Sequence, residues 1–109
     1  MSTKEYLNVL RSNGREASVI TMRYAVYLYL IKHRMSHSVI ADIFKCSKRN
    51  IYYCESRMQG FIDTKDYYAM KALEELSNHT ISVRPKSRRR ANGLCMFVGY
   101  ELLIDNEIF

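Results

Sequence analysis

The stretch "SHSVIADIFKCSKRNIYYCESRM", from Ser36 to Met58, constrains the fold more tightly than any other, because it sets two amphipathic helical patterns almost end to end. Ser36 can cap a helix from His37 to Phe44, and Ser47 a second from Lys48 to about Met58. Each serine hydroxyl would accept from a backbone N–H that has no partner within its own helix. Only "KC" is left as a hinge. Helices joined by so few residues cross steeply instead of lying antiparallel, so the first becomes a rigid support for the second.

This is the arrangement of a helix-turn-helix unit. Counted from His37, the residues Ile40, Ala41, Phe44, Cys46, Ile51 and Cys54 fall where such units resemble one another, with small Ala41 at the crossing and apolar residues elsewhere. Lys45 stands where Gly is usual, so strain is expected there: a side chain makes positive φ costly. With Ile51, Cys54 and Met58 turned inward, the opposite face of the second helix carries Arg49, Tyr53, Ser56 and Arg57, flanked by Lys48, Asn50 and Tyr52. Cationic and amide side chains at the N-terminal end of an outward helix suit the major groove, where Arg or Lys reads guanine and Asn reads adenine. The helix N-terminus also favours a phosphate. Ser47, Lys48, Arg49, Asn50, Tyr53 and Arg57 are therefore candidate DNA contacts, although any one of them alone is an ordinary solvated residue.

Charge points the same way. The 109 residues carry 17 Lys and Arg against 11 Asp and Glu, a formal charge of +6, which draws a folded chain toward a polyanion. The length suits one domain with a single core, plus an arm. "MSTKEY" has no signal-peptide pattern, and the longest apolar run, Tyr24 to Ile31, is too short to span a bilayer, so a cytoplasmic protein without a membrane partner is expected. Three cysteines without a C-x-x-C pair fit reduced thiols. His33, His37, Cys46 and Cys54 invite a zinc reading, but the histidines straddle the helix break and the cysteines occupy core positions, so no metal or other cofactor is expected. No catalytic arrangement of Ser, His, Cys or paired carboxylates stands out, and no enzymatic activity is predicted.

Along the rest of the chain, "TKEYLNVL" (Thr3 to Leu10) reads as a short helix presenting Tyr6, Leu7 and Leu10. "RSNGREAS" reads as a turn carrying Arg11 and Arg15. A helix from about Val19 to His33 is apolar nearly all round, which predicts a central position with its tyrosine hydroxyls reaching the surface. "GFID" reads as a break, with Asp63 capping a last helix from Thr64 to Leu76. Beyond His79, "TISV" and "GLCMFVGYELLI" are rich in β-branched and aromatic residues and flank "RPKSRRRAN". The pattern divides the chain into a helical DNA-binding domain over residues 1–78 and a basic linker with an apolar arm or β-hairpin over residues 79–109. Arg84, Lys86, Arg88, Arg89 and Arg90 are either solvated or lie along phosphates or in a minor groove.

"MRYAVYL", "MSHSVIADIF", a recognition helix and "FIDTKDYYAMKALEEL" follow in the order and spacing of the C-terminal DNA-binding domain of the bacterial replication initiator DnaA and its phage-borne relatives, which this chain resembles from about Leu10 to Asn78. Ala25, Tyr27 and Leu28 match the family's first motif, and Ser36, Ile40 and Phe44 its second. "SKRN", Ser47 to Asn50, replaces the acidic, histidine and threonine signature that reads the initiator's own site. No G-x-x-x-x-G-K-[ST] is present for an ATP-binding module. The resemblance implies a mainly α fold, a small Trp-repressor/DnaA C-terminal-like helix-turn-helix domain with a C-terminal arm or β-hairpin. It also implies double-stranded DNA as partner, in replication or transcriptional regulation, with a phage or mobile element as one setting. Two other readings stay open: a viral packaging recognition subunit that assembles as a homo-oligomer through its C-terminal segment, and a protein-interaction module without DNA binding.

Overall fold

The computed structural model describes residues 1–109. Five helices are followed by a three-stranded antiparallel sheet: α1 (Thr3–Arg11), α2 (Ala17–Lys32), α3 (His37–Phe44), α4 (Lys48–Asp63), α5 (Tyr67–Ser77), β1 (Ile81–Arg89), β2 (Cys95–Ile104) and β3 (Glu107–Ile108), in sheet order β1-β2-β3. This corrects the expectation of a mainly helical domain: the molecule is a small α+β domain. The physical reason lies at the base of the hairpin, where alternating Ile81, Leu102 and Ile104 are buried in the same cluster as Tyr6, Ala25, Ile40 and Met58. The sheet completes the core instead of trailing from it.

α2 sits centrally, packed against each of the other four helices. Its Thr21, Met22, Ala25, Val26, Tyr27, Leu28 and Leu30 are all buried, which requires the all-round apolar pattern of its sequence. Tyr27 departs from the expectation of a surface hydroxyl. It is only 5 % exposed, its ring meets Phe44 edge-on at 4.7 Å, and burial pushes its phenol pKa well up.

The stops of α2, α3 and α4 share one device. Arg34, Lys45 and Lys65 adopt φ of 64°, 54° and 54°, and after each the next backbone N–H reaches back over the helix end: Met35 to Leu30, Cys46 to Ala41 and Asp66 to Phe61. These are Schellman turns built on basic residues instead of glycine. α4 also runs past Met58, through Gly60, to Asp63, because Phe61 and Ile62 extend the apolar stripe of Ile51, Cys54 and Met58. The last helix consequently starts later than expected, with Asp66 as its cap in place of Asp63, its carboxylate accepting from Ala69 N–H at 3.1 Å.

β1 pairs with β2 from Ile81↔Ile104 out to Arg89↔Cys95, with a shift between Lys86 and Ser87 that leaves Val98 unpaired as a bulge. The neighbouring Gly99 has φ of +134°, and a Cβ there would stand 3.4 Å from an Asp42 carboxylate oxygen of α3. Beyond that point the two strands leave the body and close through Ala91, Asn92 and Gly93, the last at φ +84° as a three-residue hairpin requires. At the base, Asp105 and Asn106 turn β2 into β3, both at positive φ.

Asp105 also clasps the base to the helices. Its carboxylate accepts from Thr80 N–H at 2.7 Å, from Thr3 Oγ1 at 2.7 Å and from His79 Nδ1 at 2.6 Å. His79 Nε2 reaches Glu75 at 3.0 Å, and its ring stacks on buried Tyr6 at 4.3 Å. α1, the end of α5 and the sheet thus meet at one ionic knot.

Candidate nucleic-acid interface

α3 and α4 are joined by Lys45, Cys46 and Ser47 alone. Ile40 and Ala41 of α3 and Ile51, Cys54 and Met58 of α4 are buried, so the opposite side of α4 must face out. Ser47 caps the helix with its hydroxyl accepting from Asn50 N–H at 3.1 Å. Its role is therefore structural as well as positional: it fixes where the first turn of α4 begins. Lys48, Arg49 and Asn50 of that turn are exposed. Apart from the Lys48 ammonium, 5.9 Å from the Tyr52 ring, no side-chain partner engages them.

Two turns further along, Arg57 donates to the Tyr53 hydroxyl at 2.8 Å and lies over the rings of Tyr53 and Phe61 at 5.6 and 5.4 Å. A guanidinium stacked between two rings is held in place while its charge still faces outward. On the other flank His37 stacks on Tyr52 at 3.9 Å and contacts Glu55 at 2.8 Å, so the carboxylate nearest the exposed face already has a partner. Asp63, the other acid on the outward side, is at the far end of α4, where it accepts from Gln59.

Two clefts gather cations, and only the smaller of them borders α4. The smaller, about 230 Å³, brings Arg15 and Arg57 together with Ile20, Phe61 and Asp66. The larger, about 530 Å³, is lined by Arg11, Arg23 and Lys45 beside Tyr27, Phe44 and Phe109. Arg11 and Arg57 thus border different clefts. Arg11 is also partly committed within the fold, donating to the Ile108 carbonyl at 2.9 Å beneath the Phe109 ring. Arg23, which sequence reasoning did not single out, donates to the carbonyls of Ser12 at 2.6 Å and Gly14 at 2.9 Å and so pins the α1–α2 turn that carries Arg15. Lys45 is singled out in the sequence only for its backbone, although it also lines the cleft with Arg11 and Arg23.

The hairpin cations are distributed by register. Arg84 is paired with Glu101 across the strands, which answers its charge locally. Lys86, Arg88, Arg89 and Arg90 are exposed and form no ion pair. Arg90 donates weakly to the Met96 sulfur at 3.0 Å. His33, Cys46, Cys54 and Cys95 are held separately: His33 stacks on Tyr29, Cys54 is buried, Cys46 half-buried and Cys95 exposed on the hairpin. No group of three potential metal ligands converges anywhere in the chain, and no helix is long and apolar enough to cross a membrane.

Comparison with family models, with curated proteins and with solved structures finds no match to this chain.

Proposed function

We propose that this protein binds duplex DNA by seating the first turns of α4 in the major groove, with Lys48, Arg49 and Asn50 at base edges and Arg57 and Arg15 against phosphates. The observation that carries this reading is the first turn of α4: Lys48, Arg49 and Asn50 stand exposed and without ion pairs on a helix whose other side is locked into the core. Side chains so presented can form bidentate contacts to guanine or adenine at little conformational cost, because the helix that carries them is already fixed. The likeness to the replication initiator's DNA-binding domain lies in the order of the helical motifs and supports a setting in replication or transcriptional control. The sheet and the "SKRN" turn are this chain's own.

Equilibrium binding to a fluorescent duplex across a salt series tests the reading. The logarithm of affinity should fall linearly with the logarithm of salt, and each phosphate-contacting cation removed should lower the slope by about 1. Charge reversal in Arg49→Glu/Arg57→Glu should abolish binding while leaving the folded circular-dichroism spectrum unchanged. Undiminished binding by that variant excludes α4 as the DNA-contacting element.

A further inference from the structure

The outer part of the β1–β2 hairpin has no role in the core. It extends roughly 20 Å past the last half-buried residue of β1, Val83, at a strand rise of about 3.3 Å per residue. The radius of gyration, 14.9 Å, exceeds the roughly 13 Å of a compact chain of this length, in keeping with a projecting arm. Leu94, Met96, Phe97, Val98 and Tyr100 are all exposed on it, Leu94 at 65 % and Phe97 at 56 %. Solvated arms do not ordinarily gather large apolar side chains in this way.

The register assigns these residues to faces. Pro85 opposes Tyr100, Ser87 opposes Phe97 and Arg89 opposes Cys95. Phe97 and Tyr100 touch edge to face at 5.1 Å across the bulge, so they share one side of the ribbon, where Tyr100 braces the Phe97 ring. Lys86 and Arg88, opposite Gly99 and Met96, project from the other side. Arg89 therefore shares the face of the aromatic pair while Lys86 and Arg88 line the reverse face, and the sequence holds no carboxylate between Glu75 and Glu101.

From this juxtaposition we infer that the ribbon is a second DNA-binding element, inserting between the phosphate walls of a groove with Lys86 and Arg88 toward one wall and Arg89 toward the other, and wedging Phe97 into a base step, so that bound DNA is kinked. The inference rests on the reading of the protein as a duplex binder and adds a second contact and a deformation to it. A two-stranded ribbon is of a size to enter a groove, and an apolar wedge flanked by arginines unstacks a step toward a bend. A second copy of the chain suits this surface poorly: pairing along the open edge of β1 would align Lys86, Arg88 and Arg89 with their own like charges, and Pro85 has no N–H to donate.

The test measures end-to-end energy transfer on doubly labelled duplexes, using the full chain and its Phe97→Ser and Arg88→Ala/Arg89→Ala variants. The wild type should draw the duplex ends together. Phe97→Ser should bind within about tenfold of wild type, since one wedge is worth about 1.4 kcal/mol or less of net affinity, and leave the duplex straight. Arg88→Ala/Arg89→Ala should lower the salt slope by about 2. If wild type binds but the duplex stays straight, or Phe97→Ser bends it equally, the wedge is refuted while duplex binding by α4 stands. Absence of any binding removes both. Binding to phosphatidylserine vesicles that Phe97→Ser abolishes, without DNA binding, would make the ribbon a lipid contact, and a wild-type dimer dissolved by Phe97→Ser would make it a self-association surface; either outcome overturns the inference.

Discussion

Lys45 shows how a single residue can be both legible and surprising. The sequence places it where a helix stop needs positive φ, and the structure has it at φ 54°, ψ 49°, accepting the strain instead of avoiding it. The left-handed conformation costs a side-chain-bearing residue about 1–2 kcal/mol, and glycine returns about 0.5–1 of that through its freer unfolded chain. Lys45→Gly should therefore stabilise the fold by about 0.5–1 kcal/mol, read as a higher urea midpoint. A lower midpoint would mean that the lysine side chain makes a compensating contact. Arg34 and Lys65 were not legible as stops, because nothing in a lone basic residue announces a left-handed turn; the signal is the N–H that reaches back five residues, which exists only once the helix is formed.

At the scale of elements, α3 and the start of α4 could be read from serine caps and apolar spacing because both are local features. The end of α4 could not. Gly60 and the residues after it look like a break, yet Phe61 and Ile62 are half-buried, and burying them keeps the helix going for another turn. A Cβ at Gly60 would meet nothing within 4 Å, so Gly60→Ala should add about 0.5–1 kcal/mol of stability by thermal or urea unfolding. It should also leave DNA affinity unchanged, since the added methyl meets no neighbour and removes none of the proposed contacts at Lys48, Arg49, Asn50 and Arg57. A loss of affinity would extend the contact surface past Arg57 to the end of α4. The hairpin was legible from its β-branched and aromatic residues, but its share in the core was not: burial of Ile81 and Ile104 depends on Tyr6, far away in sequence.

The whole molecule is closed by the knot of Asp105, His79 and Glu75. Asp105 is held down at about 2, chiefly by the Thr80 N–H and then by His79 and Thr3. The terminal ammonium of Met1, acting against partial burial, and His79 hold Glu75 below 4.5. Burial works against the charged His79 ring, but its hydrogen bonds to Asp105 and Glu75 outweigh this and raise its pKa above 6.5. The histidine's contribution is complete below pH 6.5 and is lost as pH rises through its raised value, while the carboxylates contribute fully above pH 4.5 and lose their contribution as pH falls toward 2. Stability should therefore be greatest between pH 4.5 and 6.5, and between pH 6.5 and 8.0 the urea midpoint should decline in wild type but not in His79→Gln, the Met1 ammonium adding a decline to both only above that range. A wild-type midpoint that stays level through neutral and mildly alkaline pH would show that the knot does not hold the hairpin base.

The central claim, that α4 reads duplex DNA from its first turn, meets its most direct test in selection from a random duplex library with wild type and Lys48→Ala/Arg49→Ala. The account predicts a defined motif for wild type that is relaxed or lost in the variant, with the variant still folded. Sequence-blind binding that fades with salt alike in both proteins, or no binding at all, would contradict it.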